Sequence, residues 1–479
     1  MKAAMGWTFA ILLGSYAYFD QARDWNSASR LMLTYAMGDR GTIRLDGLDR
    51  QTGDIAFFEG HYYTDKLPGY SMLALPPYLV SKAVLGFPPH PLNAEGQRRG
   101  PADPWVTLSV SGTSTAMLGA LLAGFALRLG CSPRVALLIG LAFGLATPAF
   151  AYATMAYGHP VTSCCLFGGF LLLLGDVRSA RCAVAGFLAA LAVATELQSA
   201  PVAALLGGFL GLRVLRNQAG WIHLLAFAIG AAVPTGGLVA YNLAAFGKPW
   251  EMGYFHHATP RFAGVHSPDN PLGLNRPDLG KAVPLLFSPY RGLLYYAPIL
   301  FLAVPGWIML GWSRRWEVLG VTLLACLATF FVNLSYPEWT GGWSTGPRLL
   351  VPLLPFAMAP VAALLARGGR WALVPAVFLA IAGGVLMLMF VGVGARIPDL
   401  IDRRPLDDPL RSVVWPLWSG LPLPRWWIGE RFTRTLASSW GDSPRIFLPL
   451  VAAQALAILL GTATLPGRAS KAPHPSESI

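Results

Sequence analysis

Apolar runs separated by short basic turns fill most of the chain, and three long polar segments interrupt them. Many of these runs approach the roughly 20 residues that an α-helix needs to cross a bilayer. They predict an all-α, polytopic integral membrane protein with about twelve transmembrane helices, because lipid tolerates only backbone that satisfies its own hydrogen bonds. The predicted helices cover 3–19, 105–128, 135–152, 160–175, two short crossings within 182–214, 221–243, 291–311, 316–334, 349–366, 371–393 and 446–464.

Basic residues mark the short turns between these helices. Turns rich in Lys and Arg lie in the cytoplasm by the positive-inside rule. Both termini are then expected in the cytoplasm, with 465–479 as a short tail. The long polar segments 20–104, 244–290 and 394–445 are all expected on the extracytoplasmic face. The basic pairs that fix this orientation are Arg128 and Arg134, Arg178 and Arg181, Arg213 and Arg216, Arg314 and Arg315, and Arg367 and Arg370.

One apolar run, 71–87, does not fit as a crossing. Counting it as one would place every later basic pair on the wrong side of the membrane. The run is also interrupted by Pro76-Pro77. We therefore predict an interfacial or re-entrant helix within the first long segment, and a single transmembrane domain over residues 1–464.

The composition supports a membrane protein and argues against nucleic acid as a partner. Charged residues make up 13% of the chain and hydrophobic residues 54%, whereas soluble domains carry about 25% charged residues. The net charge of +12 is spread over the basic turns and forms no continuous patch. The five cysteines lie in or beside apolar helices and do not have metal-ligand spacing. In such positions they are expected to be small core residues, so no disulfide is expected.

Polar chemistry is concentrated directly behind the first helix. Asp20 and Asp24 are four residues apart, so both would project from one face if the helix continued. An acid at a membrane boundary is costly unless it is used. The alternative is that the two acids cap the helix end and pair with Arg23 or Arg30.

The pair Ser29-Arg30 and the run GHYYTDKLPG at 60–69 follow. With these motifs the N-terminal part of the chain resembles the GT-C superfamily of membrane glycosyltransferases, which holds protein O-mannosyltransferases and the lipid A aminoarabinose transferase. The resemblance implies an inverting glycosyltransferase in a bacterial-type inner membrane. Such an enzyme moves a monosaccharide from a polyprenyl-phosphate carrier to a lipid, glycan or protein acceptor at the extracytoplasmic face.

The resemblance also implies roles for residues of the first long segment. The acid after the first helix would be the general base on the acceptor hydroxyl, and Asp20 and Asp24 compete for this role. Lys66 would hold the carrier phosphate, since a compact ammonium suits the growing charge of a leaving phosphate. Asp65 would help to bind a divalent metal ion, the one candidate cofactor. Further candidates from the same motifs are Arg30, His61 and Tyr63.

Two later stretches carry histidines. His159 stands before Pro160, where GT-C relatives often have an acid, so its imidazole either fills that role or is structural. His256 and His257 are adjacent and would point to opposite sides of an extended chain. At most one of them is then expected to face a given site, and a metal site shared with Asp65 is one hypothesis.

Two arginines begin predicted helices. Arg291 is a candidate phosphate ligand or an interfacial anchor. The run EWTGGWSTGPR at 338–348 resembles the Trp-x-x-Gly-Pro-Arg stretch of many GT-C-like proteins. Its glycines let backbone approach a ligand closely. Trp343 could stack on a sugar or an isoprenoid, and Arg348 could hold a phosphate with two parallel hydrogen bonds.

Two other functions stay open at this point. A transporter or flippase of lipid-linked saccharides would carry ionisable residues within its spans and two symmetric halves. A non-catalytic GT-C relative would act as a scaffold. The expected partners of the enzyme are a polyprenyl-phosphate-linked sugar, membrane lipid and an unidentified acceptor.

Overall fold

The computed structural model describes residues 1–93, 99–401, 404–405, 407–422 and 430–466, so most of the predicted tail lies outside the described residues. The α-helices are α1 Lys2–Ala17, α2 Trp25–Arg40, α3 Gly69–Leu85, α4 Asp103–Thr107, α5 Thr113–Arg128, α6 Pro133–Leu145, α7 Ala149–Ala153, α8 Gly158–Leu173, α9 Ser179–Thr195, α10 Ala200–Leu215, α11 Trp221–Phe246, α12 Ala282–Phe287, α13 Leu293–Tyr296, α14 Ala303–Trp312, α15 Trp316–Ser335, α16 Leu354–Arg367, α17 Gly369–Val393, α18 Trp415–Trp418 and α19 Leu448–Thr464. The strands are β1 Phe19–Asp20, β2 Ile55–Phe58, β3 His61–Thr64, β4 Leu400–Ile401, β5 Arg404–Pro405 and β6 Arg434–Thr435.

The protein is mostly helical, as predicted, with three short two-stranded ribbons among the described residues. A helix lies at each predicted apolar segment, and the difficult stretch 182–214 divides into α9 and α10 at Glu196. The count of twelve crossings and the sides of the termini stay predictions. Seven helical segments of the described chain are long and apolar enough to cross a membrane: Asp103–Arg128, Leu197–Leu215, Trp221–Phe246, Trp316–Ser335, Arg348–Arg367, Gly369–Val393 and Pro444–Thr464.

The run predicted as an interfacial or re-entrant helix is α3, which lies along α2. Its Tyr78 hydroxyl donates to the Asp39 carboxylate at 2.8 Å, and Lys82 Nζ lies 2.6 Å from the same group. Gly38 makes room for the Tyr78 ring, because a Cβ there would come within 2.7 Å of it. The opposite side of α3 exposes large apolar residues, including Leu79 and Val84. Such a helix suits a membrane boundary.

The long polar segments are tied to one another by backbone pairing. Strand β1 pairs antiparallel with β6, so the start of the first segment is bound to the end of the third. Strands β2 and β3 form a hairpin, to which His257 adds a bridge at Ala56. Gly253 permits this contact, since a Cβ there would lie 2.3 Å from the Thr64 carbonyl oxygen. The second segment is thereby bound to the first.

A buried polar network stiffens the first segment. Arg23 donates two hydrogen bonds to Asp103, at 2.5 and 2.6 Å, and Tyr35 donates to the same carboxylate. The His90 ring stacks on Tyr35 with centroids 4.7 Å apart, and its Nε2 lies 2.9 Å from Gln51 Oε1. Burial, and then the Arg23 guanidinium, lower the pKa of His90 from 6.5 to about 4.

This network makes stability depend on pH. Below pH 6.5 the unfolded chain protonates His90, whereas the folded chain does so only near pH 4. The free energy of unfolding should therefore fall as the pH drops through this window, by up to about 3 kcal/mol. We expect His90→Gln to flatten the dependence of the melting temperature on pH between 6.5 and 4. Parallel curves for the variant and the wild type would show that His90 is not the responsible group.

Candidate active site

The long polar segments and the loop between α15 and α16 enclose a cavity of about 970 Å³. Pockets of roughly 300 to 1,000 Å³ bind small organic ligands. Trp25, Phe262 and Trp343 supply aromatic surface. The charged side chains of the wall are the acids Asp24, Asp54, Asp399 and Glu430 and the arginines Arg99, Arg261, Arg348, Arg396 and Arg434. A cavity with this lining can hold a sugar together with an anionic group.

Asp24 is fixed at the cavity wall by the start of α2. It is the N-cap residue, and its Oδ1 accepts hydrogen bonds from the Ser27 backbone N–H at 2.8 Å and the Ser27 hydroxyl at 2.6 Å. The Asp24 backbone N–H in turn donates to Ser27 Oγ, which completes a capping box. The side chain is 7% exposed. The helix start thus holds a buried carboxylate in one orientation.

The other oxygen of Asp24 is linked to Arg348 through a phenol. The Tyr157 hydroxyl donates to Asp24 Oδ2 and accepts a hydrogen bond from Arg348 Nη1 at 3.2 Å. The Arg348 guanidinium also lies 5.4 Å from the centre of the Tyr157 ring. Within the described part of the chain, the buried Nε of Arg348 has no hydrogen-bond partner. Because Arg348 lines the cavity, this donor is available to an acceptor bound there.

Asp20 lies elsewhere. The expectation that one helix carries both acids is wrong, because α1 ends at Ala17 and Asp20 belongs to β1. Its Oδ2 lies 3.0 Å from Arg99 Nη1, and it lines a smaller neighbouring cavity of about 260 Å³. The alternative expectation, pairing with Arg23 or Arg30, is also wrong. Those arginines bind Asp103 and Glu196.

A second charged cluster adjoins the cavity. Lys66 Nζ lies 2.8 Å from Asp54 Oδ2 and 2.6 Å from Asp65 Oδ2, and His257 Nε2 lies 3.5 Å from Asp65 Oδ2. Of these four residues only Asp54 lines the cavity. Lys66, which is predicted to hold a phosphate, therefore lies outside the cavity wall and contacts the wall residue Asp54.

Burial and charge act in opposite directions within this cluster. Burial alone would lower the pKa of Lys66, but Asp54 and Asp65 raise it above its usual value. Burial alone would raise the pKa of Asp65, but Lys66 and then His257 lower it below its usual range. Burial raises the pKa of Asp54 despite Lys66. Lys66 is thus held charged between two carboxylates.

The predicted metal site corresponds to part of this cluster. Asp54, Asp65 and His257 each offer a ligand atom, and these atoms lie within 4.8 Å of one another. His256 is directed away and binds Glu251, 3.0 Å from its Nε2. The present arrangement does not fit a divalent ion, because the Lys66 ammonium already contacts both carboxylates.

Arg291 organises the loop that carries Arg348. It is fully buried, and its guanidinium donates to the carbonyl oxygens of Thr340 at 2.9 Å and Gly342 at 2.8 Å. Arg291 is absent from the cavity wall, and its contacts place it to hold this loop. Gly341 has a φ of +75°, and a Cβ there would come within 2.7 Å of the Arg348 side chain. Trp343 is 49% exposed in the same loop.

The other candidates are absent from the cavity wall. Tyr63 is buried against Phe246, and His61 Nδ1 lies 2.8 Å from Asp46. Arg30 Nη2 lies 2.6 Å from Glu196 Oε1, and His159 Nδ1 lies 3.8 Å from the same oxygen. Sequence reasoning missed the bridging residue Tyr157 and most charged residues of the wall: Asp54, Arg99, Arg261, Arg396, Asp399, Glu430 and Arg434.

No protein-family model matches the chain, and no curated protein matches its sequence. The structure is similar to two crystal structures of ArnT from Cupriavidus metallidurans, in the apo state and bound to undecaprenyl phosphate. Each has 16% sequence identity and a TM-score of 0.48, and the alignments cover 94% and 96% of this chain and 73% and 75% of ArnT.

It is also similar to the archaeal oligosaccharyltransferase AglB from Archaeoglobus fulgidus in complex with an inhibitory peptide and a dolichol-phosphate. The identity is 12% and the TM-score 0.43, over 82% of this chain and 56% of AglB.

Proposed function

We propose that the protein is an inverting glycosyltransferase that moves a monosaccharide from a polyprenyl-phosphate carrier to a hydroxyl of a lipid, glycan or protein acceptor at the extracytoplasmic face. The observation that carries this proposal is the link between the Asp24 carboxylate and the Arg348 guanidinium on one cavity wall. A transfer of this kind needs a base for the incoming hydroxyl and a cation for the leaving phosphate.

Asp24 serves as the base. Its Oδ1 is occupied by two donors from Ser27, and Oδ2 receives the Tyr157 hydroxyl. A carboxylate oxygen can accept a further hydrogen bond, so Oδ2 is the atom that takes the acceptor's proton. The acceptor oxygen then bonds to the anomeric carbon from the side opposite the phosphate, which leaves with the electron pair of the broken C–O bond.

Arg348 stabilises that phosphate. Its Nε is a buried donor whose hydrogen bond is not made within the described structure, and a guanidinium can bind phosphate through two parallel hydrogen bonds. Arg396 lines the same cavity and adds positive charge. Lys66 acts indirectly, because it orients Asp54 from behind the wall.

The aromatic residues of the wall would hold the sugar. Trp25 lies between Asp24 and Asp54: it directly follows Asp24, and its ring packs on the backbone of Gly53, beside Asp54. Trp343 stands on the loop of Arg348. Exposed indole faces in a polar cavity are suited to stacking on the apolar face of a sugar ring.

The test is direct. Purified protein in lipid discs would be given radiolabelled polyprenyl-phosphate sugars together with a membrane extract as acceptor. The wild type should transfer label to the extract with release of polyprenyl phosphate, and the Asp20→Ala, Asp24→Ala double variant should not. Equal turnover by both proteins would show that neither aspartate is the general base. Movement of the carrier across proteoliposomes without transfer would favour the transporter.

A further inference from the structure

Tyr157 occupies an unusual position between two opposite charges. It is fully buried, its ring packs near Tyr152 and His159, and it directly precedes α8. Its hydroxyl is the one group that bonds both the Asp24 carboxylate and the Arg348 guanidinium in the described structure. The motifs that drew attention to this stretch concern His159, which does not line the cavity.

We infer that Tyr157 is a positioning residue that keeps Asp24 and Arg348 connected but apart, so that one remains a base and the other a phosphate ligand. This inference rests on the proposed function. A phenol has one proton to donate and lone pairs to accept with. Because the proton of the Tyr157 hydroxyl is directed at Asp24, its lone pairs face Arg348. The direction of both hydrogen bonds is thereby fixed.

The need for a spacer follows from electrostatics. A carboxylate and a guanidinium that share a cavity wall attract each other strongly where water is scarce. A direct bidentate pair would use the acceptor positions of Asp24 and the donors of Arg348 at the same time. The base would then lose its free lone pair, and the phosphate would lose its ligand. Tyr157 occupies one acceptor position of Asp24 and one donor of Arg348, and it leaves Oδ2 and the other Arg348 donors available to ligands in the cavity that both residues line.

Other charged and titratable groups face the same place and must be considered. Arg396 and Tyr152 both interact electrostatically with Asp24 or Arg348. Tyr152, however, donates to the carbonyl oxygen of Thr345 at 2.9 Å, so its hydroxyl supports the loop. Arg396 Nη1 donates to the carbonyl oxygen of Arg23. Neither of these hydrogen bonds connects Asp24 to Arg348. Of the three groups compared, Tyr157 is therefore the one that connects them.

The test uses Tyr157→Phe, which keeps the ring and removes the hydroxyl. Two quantities are measured: binding of farnesyl phosphate, a soluble polyprenyl phosphate, and kcat for transfer. We expect affinity to fall about 15-fold and kcat about 30-fold, which correspond to about 1.6 and 2 kcal/mol and lie within the range for loss of a hydrogen bond to a charged group. Tyr16→Phe is the matched control, since it removes a buried phenol hydrogen bond to the Gly144 carbonyl oxygen, and Tyr16 does not line the main cavity.

The Asp24→Asn background separates positioning from packing. Two groups that act as a unit show non-additive effects, so Tyr157→Phe should lower kcat little further in that background while still weakening farnesyl phosphate binding. If the wild type binds and transfers but Tyr157→Phe matches Tyr16→Phe in both quantities, the inference alone is overturned. If the wild type neither binds farnesyl phosphate nor transfers sugar, the proposed function fails and the inference falls with it.

Discussion

Asp24→Asn should lower kcat for sugar transfer by about a thousandfold, within the range that a positioned general base contributes. The expectation rests on the position of Asp24 in the cavity wall and on the proposal that its Oδ2 takes the proton of the acceptor hydroxyl. Asn is a good N-cap residue, so α2 and the Ser27 contacts should survive the change. Binding of farnesyl phosphate should persist, because Arg348 is unchanged. The measurement is initial-rate transfer of radiolabelled sugar.

Asp20→Asn is the matched control, with the same chemical change four residues earlier. Asp20 bonds to Arg99 at a partly exposed site, and such pairs are worth about 1 kcal/mol or less. We therefore expect a loss of activity of no more than about fivefold. If Asp20→Asn lost more activity than Asp24→Asn, Asp20 would be the general base. Two nearly inactive variants that also fail to bind farnesyl phosphate would indicate loss of the folded site.

Much of the fold follows from the sequence because its causes are local. Apolar runs of the right length predict helices, and helices lie at every predicted run. Proline does not by itself mark the breaks, because α3 continues through Pro76-Pro77, and α11, α16 and α17 each contain an internal proline. Local sequence does not determine which of Asp20 and Asp24 lies in the cavity wall, because the answer depends on whether the chain stays helical after Ala17. Pairing of β1 with the distant β6 ends that helix.

The charged cluster shows what sequence reasoning could have found. Glu59 and Gly60, both with positive φ, form a two-residue turn between β2 and β3. An acid or amide followed by glycine between two strand-like runs is a hairpin signal. The register pairs Ile55 with Thr64, so the next pair along the ladder brings Asp54 opposite Asp65. Recognising the hairpin would have added Asp54 to the candidates.

Tyr157 and Arg396 could not have been found in this way. Tyr157 reaches Asp24 across 133 sequence positions, and nothing in the residues around either partner specifies the meeting. Such contacts are fixed by how whole helices pack. Arg291 shows the converse: an arginine at a helix start suggested phosphate binding, but its burial against the carbonyl oxygens of Thr340 and Gly342 gives it a structural part.

Lys66→Ala should destabilise the protein more than any other single change considered, by about 3 to 5 kcal/mol. The ammonium is held between Asp54 and Asp65, at 2.8 and 2.6 Å, and its removal leaves two buried carboxylates without their main counter-charge. Thermal melting in detergent measures the loss. Lys82→Ala is the control, since Lys82 pairs with Asp39 at 26% exposure and should cost about 1 kcal/mol.

The same variant decides between a lysine-held and a metal-held cluster. Without the ammonium, Asp54, Asp65 and His257 present two carboxylates and an imidazole within 4.8 Å, a donor set that suits Zn²⁺ or Mn²⁺. We expect either ion to raise the melting temperature of Lys66→Ala and to leave the wild type unchanged, because ligand binding stabilises only the form that offers the site. A wild type that is stabilised by the ion and destabilised by a chelator would contradict the lysine-held arrangement. Lys66 would then have to leave the carboxylates, which would free its ammonium to reach the cavity as the sequence motif predicts.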